Sequence, residues 1–256
     1  MLTKLLGLPP LASEHGADVD KLILYVHWLM AALFVGWLAY FFYVIFRFRR
    51  SNHPKADYGG VKSHASSYIE FAVAAVEGVL LLGFAIPLWS KAVDQFPSEK
   101  DATVIRVMAQ QFLWNARYPG PDGVFGKADL KFVSSTNAWG IDPSDPNGKD
   151  DFSPASINEI TVPVNKPVIA HITSQDVVHS FKINPLRVTQ DAIPGLSIPT
   201  WFRPTHEGKY LINCAQLCGN GHSAMKGYLN VVSQQQYDQW VAERTAAPPA
   251  PAASFE

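Results

Sequence analysis

Three features are missing from this 256-residue chain, and each absence argues against a class of function. Lys and Arg form no basic stripe of the kind that binds phosphate backbones, and with a net charge of −1 the sequence does not favour a nucleic-acid partner. No Ser/His/Asp set and no paired carboxylates are evident, which argues against nucleophilic or acid–base catalysis. The only two cysteines are separated by three residues, so the CxxCH motif that attaches a c-type haem is absent.

Charge is also missing from two long apolar runs. Residues 22–46 are 25 consecutive residues without a formal charge, more than the ~20 needed to cross a bilayer core. Residues 71–89 contain a single charged residue, Glu77. We therefore predict transmembrane spans at about 22–46 and 71–90; the alternative is two buried core helices of a soluble protein.

The loop between the predicted spans is basic. Against Asp57 and the boundary residue Glu70 it carries five cationic residues, which are Arg47, Arg49, Arg50, Lys55 and Lys62. By the positive-inside rule this loop is cytoplasmic and both termini lie on the opposite side. The predicted architecture is a membrane hairpin followed by a large extracytoplasmic domain.

From residue 101 onward the chain is rich in Val, Ile, Thr and aromatic residues, which is typical of strands. Strand-like segments occupy 104–114, 159–164, 167–174, 208–214 and 227–233. Several short strands at this spacing indicate a sandwich or barrel. The polar stretch 119–157 lacks the ligand spacing of an EF-hand, so we predict a solvated loop rather than a calcium site. The segment QQQYDQWVAE is predicted as a short closing helix, and the Ala/Pro-rich tail as disordered.

The segment 214–225, CAQLCGNGHSAM, combines both cysteines with His222 and Met225, and His179 lies upstream. Thiolate, imidazole and thioether form a soft ligand set that selects copper, zinc or iron–sulfur clusters, and the thioether favours copper. Cys214 and Cys218 with the two histidines would satisfy zinc but leave Met225 unused. A disulfide would explain only the cysteines, and a mononuclear blue copper site needs only one.

Two copper ions that share both sulfurs account for every candidate. His179 and Met225 would complete the coordination of one ion. His222 with a backbone carbonyl of the cysteine loop (residues 214–225) would complete that of the other. Asp176, three residues before His179, is a candidate to support that ring, although a loop cap is the simpler interpretation.

Four segments resemble subunit II of haem–copper cytochrome oxidases: SQDVVHSF, QDAIPG (190–195), EGKYLINC and CAQLCGNGHSAMKG. The resemblance runs from the hairpin to about residue 242, with 119–157 as an insertion. It implies an α+β membrane protein in which a two-helix transmembrane hairpin (within 1–98) precedes an extracytoplasmic cupredoxin-like β-sandwich (99–242) and a tail (243–256). In that family the sandwich holds the dinuclear copper A centre. The implied ligands here are His179, Cys214, the main-chain carbonyl of Gln216, Cys218, His222 and Met225.

The resemblance also implies a function. Such a subunit accepts electrons from a separate c-type cytochrome or cytochrome-bearing complex and passes them to haem in subunit I, which reduces oxygen and pumps protons. Subunit III and membrane lipid are further expected partners. The expected location is the bacterial cytoplasmic (inner) membrane, with both termini and the copper domain on the periplasmic side. The alternatives are a copper-free quinol oxidase-type subunit II and a stand-alone membrane copper carrier.

The chain departs from the family pattern in three places. Gln216 stands where the family usually has a Glu that helps to bind magnesium at the subunit I interface, so any magnesium there would have to be bound by Gln216 in place of that Glu. Phe112 stands at the position of the exposed electron-entry Trp, while Trp114 is retained. Glu70 resembles a proton-entry carboxylate, but the Trp and Pro that usually follow are absent. Glu77, within the second span, is a second candidate for a proton path, and a buried hydrogen bond is the alternative.

Overall fold

The computed structural model describes residues 5–56, 58–60, 62–134, 136–154 and 156–245. The chain divides into two compact units. One contains Asp18–Lys91, and the other contains Pro9–Ala17 together with the chain from Ala92 onward.

Two long apolar helical segments form the first unit. Helix α1 spans Gly16–Arg47; helix α2 (Ala65–Leu80) continues through a π-helical turn (Leu81–Ala85) into α3 (Ile86–Val93). Each segment contains an 18-residue window with a mean hydropathy of 2.2, and none of the residues in that window is buried. Asp18 and Lys91 form an ion pair at 3.4 Å, so the beginning of α1 lies beside the end of α3 and the two segments are antiparallel. The predicted pair of apolar helices is confirmed.

The π-helical turn has a local cause in Pro87. A proline inside a helix lacks an N–H, and its ring clashes with the carbonyl four residues earlier, which here belongs to Gly83. The π-helical turn Leu81–Ala85 contains that residue and widens the helix where the clash would fall. The helical segment therefore continues past the proline.

The second unit is a β-sandwich of two sheets around one core. Its strands are β1 Thr103–Gln110, β2 Leu113–Arg117, β3 Glu159–Pro163, β4 Val168–Ser174, β5 His179–Ile183, β6 Val188–Ala192, β7 Ile198–Phe202, β8 Gly208–Cys214 and β9 Lys226–Val232. One sheet has the order β2-β1-β4-β7 and the other β3-β9-β8-β5-β6. The pairs β1–β4 and β3–β9 are parallel, and the other pairs are antiparallel. The predicted sandwich is therefore confirmed.

Individual strands differ from the prediction. The segment 104–114 is a hairpin and not one strand, because the chain turns at residues 111 and 112 between β1 and β2. That turn contains no Gly, Pro or Asn, so the sequence carries no turn signal there. Strands β5, β6 and β7 were not predicted: β6 is an edge strand with only Val188 and Ala192 buried, and β7 contains Pro199.

The described residues of the stretch 119–157 form an excursion from the sandwich with local structure, and not only a solvated loop. It contains short 3-10 turns at Leu130–Phe132 and Pro146–Gly148, and its Asp151 forms a buried ion pair with Arg117 of β2. The closing helix α4 spans Gln234–Thr245, as predicted, and enters the stretch predicted as a tail. The rest of that predicted disordered tail, 246–256, lies outside the described residues.

Candidate metal centre

Adjacent strands bring the candidate ligands together at one end of the sandwich. His179 is the first residue of β5 and Cys214 the last of β8, and these two strands pair with Phe181 opposite Cys214. The remaining candidates follow in residues 215–225, between β8 and β9. His179 therefore meets the cysteine loop although it lies 35 residues upstream of Cys214.

The two cysteines are free thiols whose Sγ atoms lie 3.7 Å apart, so they form no disulfide. The Nδ1 atom of His179 lies 3.9 Å from Cys214 Sγ. All three ligand atoms lie within 4.8 Å of one another, and all three residues are buried. A histidine and two thiols in this arrangement can hold a metal ion.

The other candidates surround this cluster. Cys218 Sγ lies 3.6 Å from His222 Nδ1 and 3.8 Å from Met225 Sδ. The carbonyl oxygen of Gln216 lies 3.1 Å from Cys214 Sγ, while the Gln216 side chain is exposed. His222 is not a member of the tight three-residue cluster, but it reaches the same pair of sulfurs through Cys218.

These separations fit ligands that share a metal ion. With metal–sulfur bonds of about 2.3 Å, two sulfurs at tetrahedral positions lie about 3.8 Å apart, close to the observed 3.7 Å. The donors are soft and largely removed from water, since His179 is fully buried and Met225 is 1% exposed. Burial, followed by the hydrogen bond and charge of Cys214, raises the pKa of Cys218 to about 11. A metal ion must therefore displace the Cys218 proton at neutral pH.

Asp176 holds the His179 ring from the side opposite the sulfurs. The Oδ1 atom of Asp176 lies 2.8 Å from His179 Nε2, which leaves Nδ1 directed at Cys214. The same carboxylate accepts hydrogen bonds from the backbone N–H groups of Val177 and Gln111. Burial acts to raise the pKa of Asp176, but the hydrogen bonds from His179, Gln111 and Val177 outweigh it and lower that pKa. Asp176 is thus both a loop cap and a partner of His179.

The two aromatic candidates for electron entry occupy different depths. Phe112 is 36% exposed, and a Cβ added to Gly221 would overlap its ring, so it covers the cysteine loop. Trp114 is 1% exposed and meets His179 edge-on, with ring centroids 6.3 Å apart. Phe112 lies at the surface of the metal centre, and Trp114 lies beneath it.

The two carboxylates predicted for proton transfer belong to the helical unit. Glu70 and Glu77 lie on α2, and both are exposed in the chain by itself. Conversely, the sequence reasoning missed Gln111, whose side chain donates a hydrogen bond of 2.6 Å to the Cys218 carbonyl. Its adjacency to Phe112 was the only signal in the sequence that could have drawn attention to it.

Comparison with known proteins gives consistent matches. Residues 102–232 match the family model described as "Cytochrome C oxidase subunit II, periplasmic domain". The chain is 29% identical over 238 residues to "Alternative cytochrome c oxidase subunit 2" of Bradyrhizobium diazoefficiens, covering 92% of this chain and 83% of the relative. It is 30% identical over 245 residues to "Probable cytochrome c oxidase subunit 2" of Rickettsia bellii, covering 93% and 84%.

A further relative and a solved structure also carry the name of subunit II of a cytochrome oxidase. "Cytochrome c oxidase subunit 2" of Cereibacter sphaeroides is 28% identical over 250 residues, covering 93% of this chain and 79% of the relative. The crystal structure of the periplasmic domain of cytochrome oxidase subunit II of Bradyrhizobium japonicum is 28% identical, covers 58% of this chain and 95% of that chain, and superposes with a TM-score of 0.42.

Proposed function

Because this chain belongs to the cytochrome c oxidase subunit II family, we propose that it is the electron-entry subunit of a respiratory oxidase. In that role it accepts electrons from a separate c-type cytochrome and delivers them to haem in subunit I, where oxygen is reduced to water and protons are translocated. The observation that carries this proposal is the buried cluster of His179, Cys214 and Cys218, with two free thiols and an imidazole within 4.8 Å of one another.

The proposed cofactor is a pair of copper ions, which when bound supplies a one-electron acceptor. Six groups of this chain would hold it: His179, Cys214, the carbonyl of Gln216, Cys218, His222 and Met225. The chain's own contribution is rigidity, because strand ends fix His179 and Cys214 and the Asp176 carboxylate fixes the His179 ring. For magnesium, Gln216 offers only a neutral amide oxygen, a weaker ligand than a carboxylate.

Exposed apolar side chains near the metal centre support docking of protein partners. Val177 and Val178 precede His179, Leu217 lies between the cysteines, and Phe112 covers the loop; their exposed fractions run from 36% to 78%. Apolar side chains concentrated on one part of a surface mark interaction sites. We assign these four exposed side chains to the surface on which the oxidase partners, the donor cytochrome and subunit I, dock. Subunit III is a further expected partner.

The two alternative functions are less well supported. A copper-free quinol oxidase-type subunit would have no need for a buried histidine beside two free thiols. A stand-alone copper carrier would act without a catalytic subunit. Co-purification with a haem-containing protein therefore distinguishes the carrier from the oxidase subunit.

Replacement of Cys218 tests the proposed function. Wild-type chain purified from its native membrane is expected to hold two copper ions and to give the electron paramagnetic resonance signal of a shared electron, and Cys218→Ser is expected to lose that signal. Ser223→Ala, an exposed position in the same loop, is the matched control. Retention of two copper ions and normal oxidase turnover in Cys218→Ser would overturn the assignment.

A further inference from the structure

We propose that Gln111 is a positioning residue. It fixes the position of the cysteine loop relative to Asp176, which holds the His179 ring on the other side of the metal centre. Gln111 lies at the turn between β1 and β2. Its side-chain Nε2 donates to the Cys218 carbonyl at 2.6 Å, and its backbone N–H donates to Asp176 Oδ2 at 2.7 Å. One residue thus contacts segments that lie 107 and 65 positions away in the sequence.

Both contacts lead to proposed metal ligands without touching a ligand atom. The first holds the main chain of Cys218, whose sulfur faces Cys214, His222 and Met225. The second holds Asp176, whose other oxygen contacts His179 Nε2. Gln111 therefore acts through the residues on either side of the centre, which is the role of a positioning residue and not of a ligand.

The cysteine loop closely follows the shape of the turn that carries Gln111. Residues 215–221 lie outside helices and strands, so they depend on outside contacts for a fixed path. Gly219 has φ +133°, and a Cβ there would lie 2.8 Å from Gln111 Nε2. Gly221 has no room for a Cβ because the Phe112 ring fills that space. The glycines of CGNGH thus let the loop approach Gln111 and Phe112.

Loss of the Gln111 amide should release one side of this loop. A buried carbonyl that loses its donor is left unsatisfied, and the loop can then move to reach water. The Cys218 thiol, 4% exposed in the intact loop, should become more accessible. Groups that hold metal ligands from outside typically change metal affinity by about 10–100-fold when they are removed, and we expect an effect in that range.

The test compares Gln111→Met and Gln111→Glu with wild type, using the full chain in detergent. Met keeps the length without a donor, and Glu keeps the shape without the N–H. Gln110→Met is the matched control, because Gln110 is the sequence neighbour and its side chain bonds only to Asn115 among the described residues. Three quantities are measured: the rate at which a thiol reagent modifies the metal-free chain, copper affinity by chelator competition, and the electron paramagnetic resonance spectrum.

Both Gln111 variants are expected to react with the thiol reagent at least about tenfold faster, to bind copper about 10–100-fold more weakly and to show altered hyperfine splitting, while Gln110→Met matches wild type. Wild-type thiol reactivity and copper affinity in either folded Gln111 variant would overturn the inference. The copper readouts rest on the proposed function, but the thiol rates do not. Failure of wild type to bind copper would therefore reject that function and leave the role of Gln111 to be decided by the thiol rates.

Discussion

At the scale of single residues, the ability of the candidate metal centre to bind a metal ion depends on how the His179 ring is held. The ring has two nitrogens with different neighbours: Nδ1 lies 3.9 Å from Cys214 Sγ, and Nε2 lies 2.8 Å from Asp176 Oδ1. A carboxylate at Nε2 fixes the tautomer in which Nε2 carries the proton, so Nδ1 keeps its lone pair for a metal ion. The carboxylate also makes the imidazole more basic and therefore a stronger metal ligand.

Removal of the Asp176 carboxylate should weaken copper binding. Asp176→Ala is expected to lower copper affinity by about 10–100-fold, because His179 loses its orienting partner and the backbone N–H groups of Gln111 and Val177 lose their acceptor. Asp176→Asn, which keeps an acceptor but not the charge, should fall between Ala and wild type. Chelator competition measures the affinities. Asp191→Asn, an exposed carboxylate on β6, is the control, and equal affinities for Asp176→Ala and this control would contradict the prediction.

The candidate side-chain ligands could be predicted from the sequence because four of the five lie within 12 residues and the type of each residue limits its chemistry. His179 could be named as an upstream candidate, but only the β5–β8 pairing shows how it reaches Cys214. Gln111 could not be predicted. Its contacts join segments far apart in the sequence, and glutamine carries no preference for metal sites.

At the scale of secondary-structure elements, one buried ion pair fastens the excursion 119–157 to the sandwich. Arg117 of β2 is fully buried and donates to Asp151, while its Nη2 also donates to the Gly126 carbonyl at 2.8 Å. The Gly126 N–H donates to the same Asp151 carboxylate. None of the described residues of this polar segment belongs to the buried core cluster, and a charged group at its edge helps to hold it to the sandwich.

Breaking this pair on one side should be costly. Asp151→Ala leaves the Arg117 charge buried without its partner, and such changes destabilise proteins by about 3–5 kcal/mol. The expected result is a lower denaturant midpoint for the unfolding of the sandwich. The midpoint is measured by near-ultraviolet circular dichroism of the detergent-solubilised chain. Asp129→Ala, which removes an exposed partner of Lys131 in the same excursion, should lower the midpoint far less, because water screens an exposed ion pair. Equal midpoints for the two variants would show that the pair does not hold the excursion.

Prediction of elements succeeded where the apolar pattern is long and failed where neighbours decide. The spans and strands β3, β4, β8 and β9 have enough apolar residues to be recognised. The ends of these strands fall within one residue of the prediction, whereas each apolar helical segment begins six residues before its predicted span. Strand β6 has only two buried residues, so its pairing with β5, not its own composition, makes it a strand. The turn between β1 and β2 likewise lacks turn residues and follows from the pairing of the two strands.

At the scale of the whole molecule, the helical unit exposes surface that water does not solvate well. Trp28, Trp37 and Phe71 are 63%, 68% and 81% exposed in the chain by itself. Apolar helices of this length are covered by lipid or by other membrane subunits. The family match places an extracytoplasmic domain after them, so the chain is a membrane protein with that domain outside the cytoplasm.

The basic loop between the helices should face the cytoplasm. In a background with Cys214→Ser and Cys218→Ser, Ser51→Cys is expected to resist a membrane-impermeant maleimide in intact cells and to react after lysis. Ser144→Cys, in the exposed part of the excursion, should react in cells whose outer barrier is permeable. The reason is the cluster of cationic residues that flanks the spans. Labelling of Ser51→Cys in intact cells would reverse the predicted orientation.

The two carboxylates of α2 raise the last question of function, because they lie seven residues apart on one helix. Seven residues make nearly two turns, so Glu70 and Glu77 lie on the same face of the helix, about 10 Å apart along its axis. The Glu77 side chain has no hydrogen-bond partner among the described residues and is exposed in the chain by itself. A charged group in a span costs a few kcal/mol unless another group or water meets it, so this face should lie against a partner subunit.

If that face forms a proton path, each replacement should slow proton uptake by the assembled oxidase. Glu70→Gln and Glu77→Gln are each expected to lower the uptake rate, and the double variant should be no slower than the slower single variant, because two groups in one path act as a unit. Glu207→Gln, an exposed position of the sandwich, is the control. The measurement is oxygen consumption and proton uptake in reconstituted vesicles. Normal rates in Glu77→Gln would exclude Glu77 from proton transfer, since an amide cannot carry the proton. The alternative role, a hydrogen bond to a neighbouring subunit, would then stand, because an amide can keep such a bond.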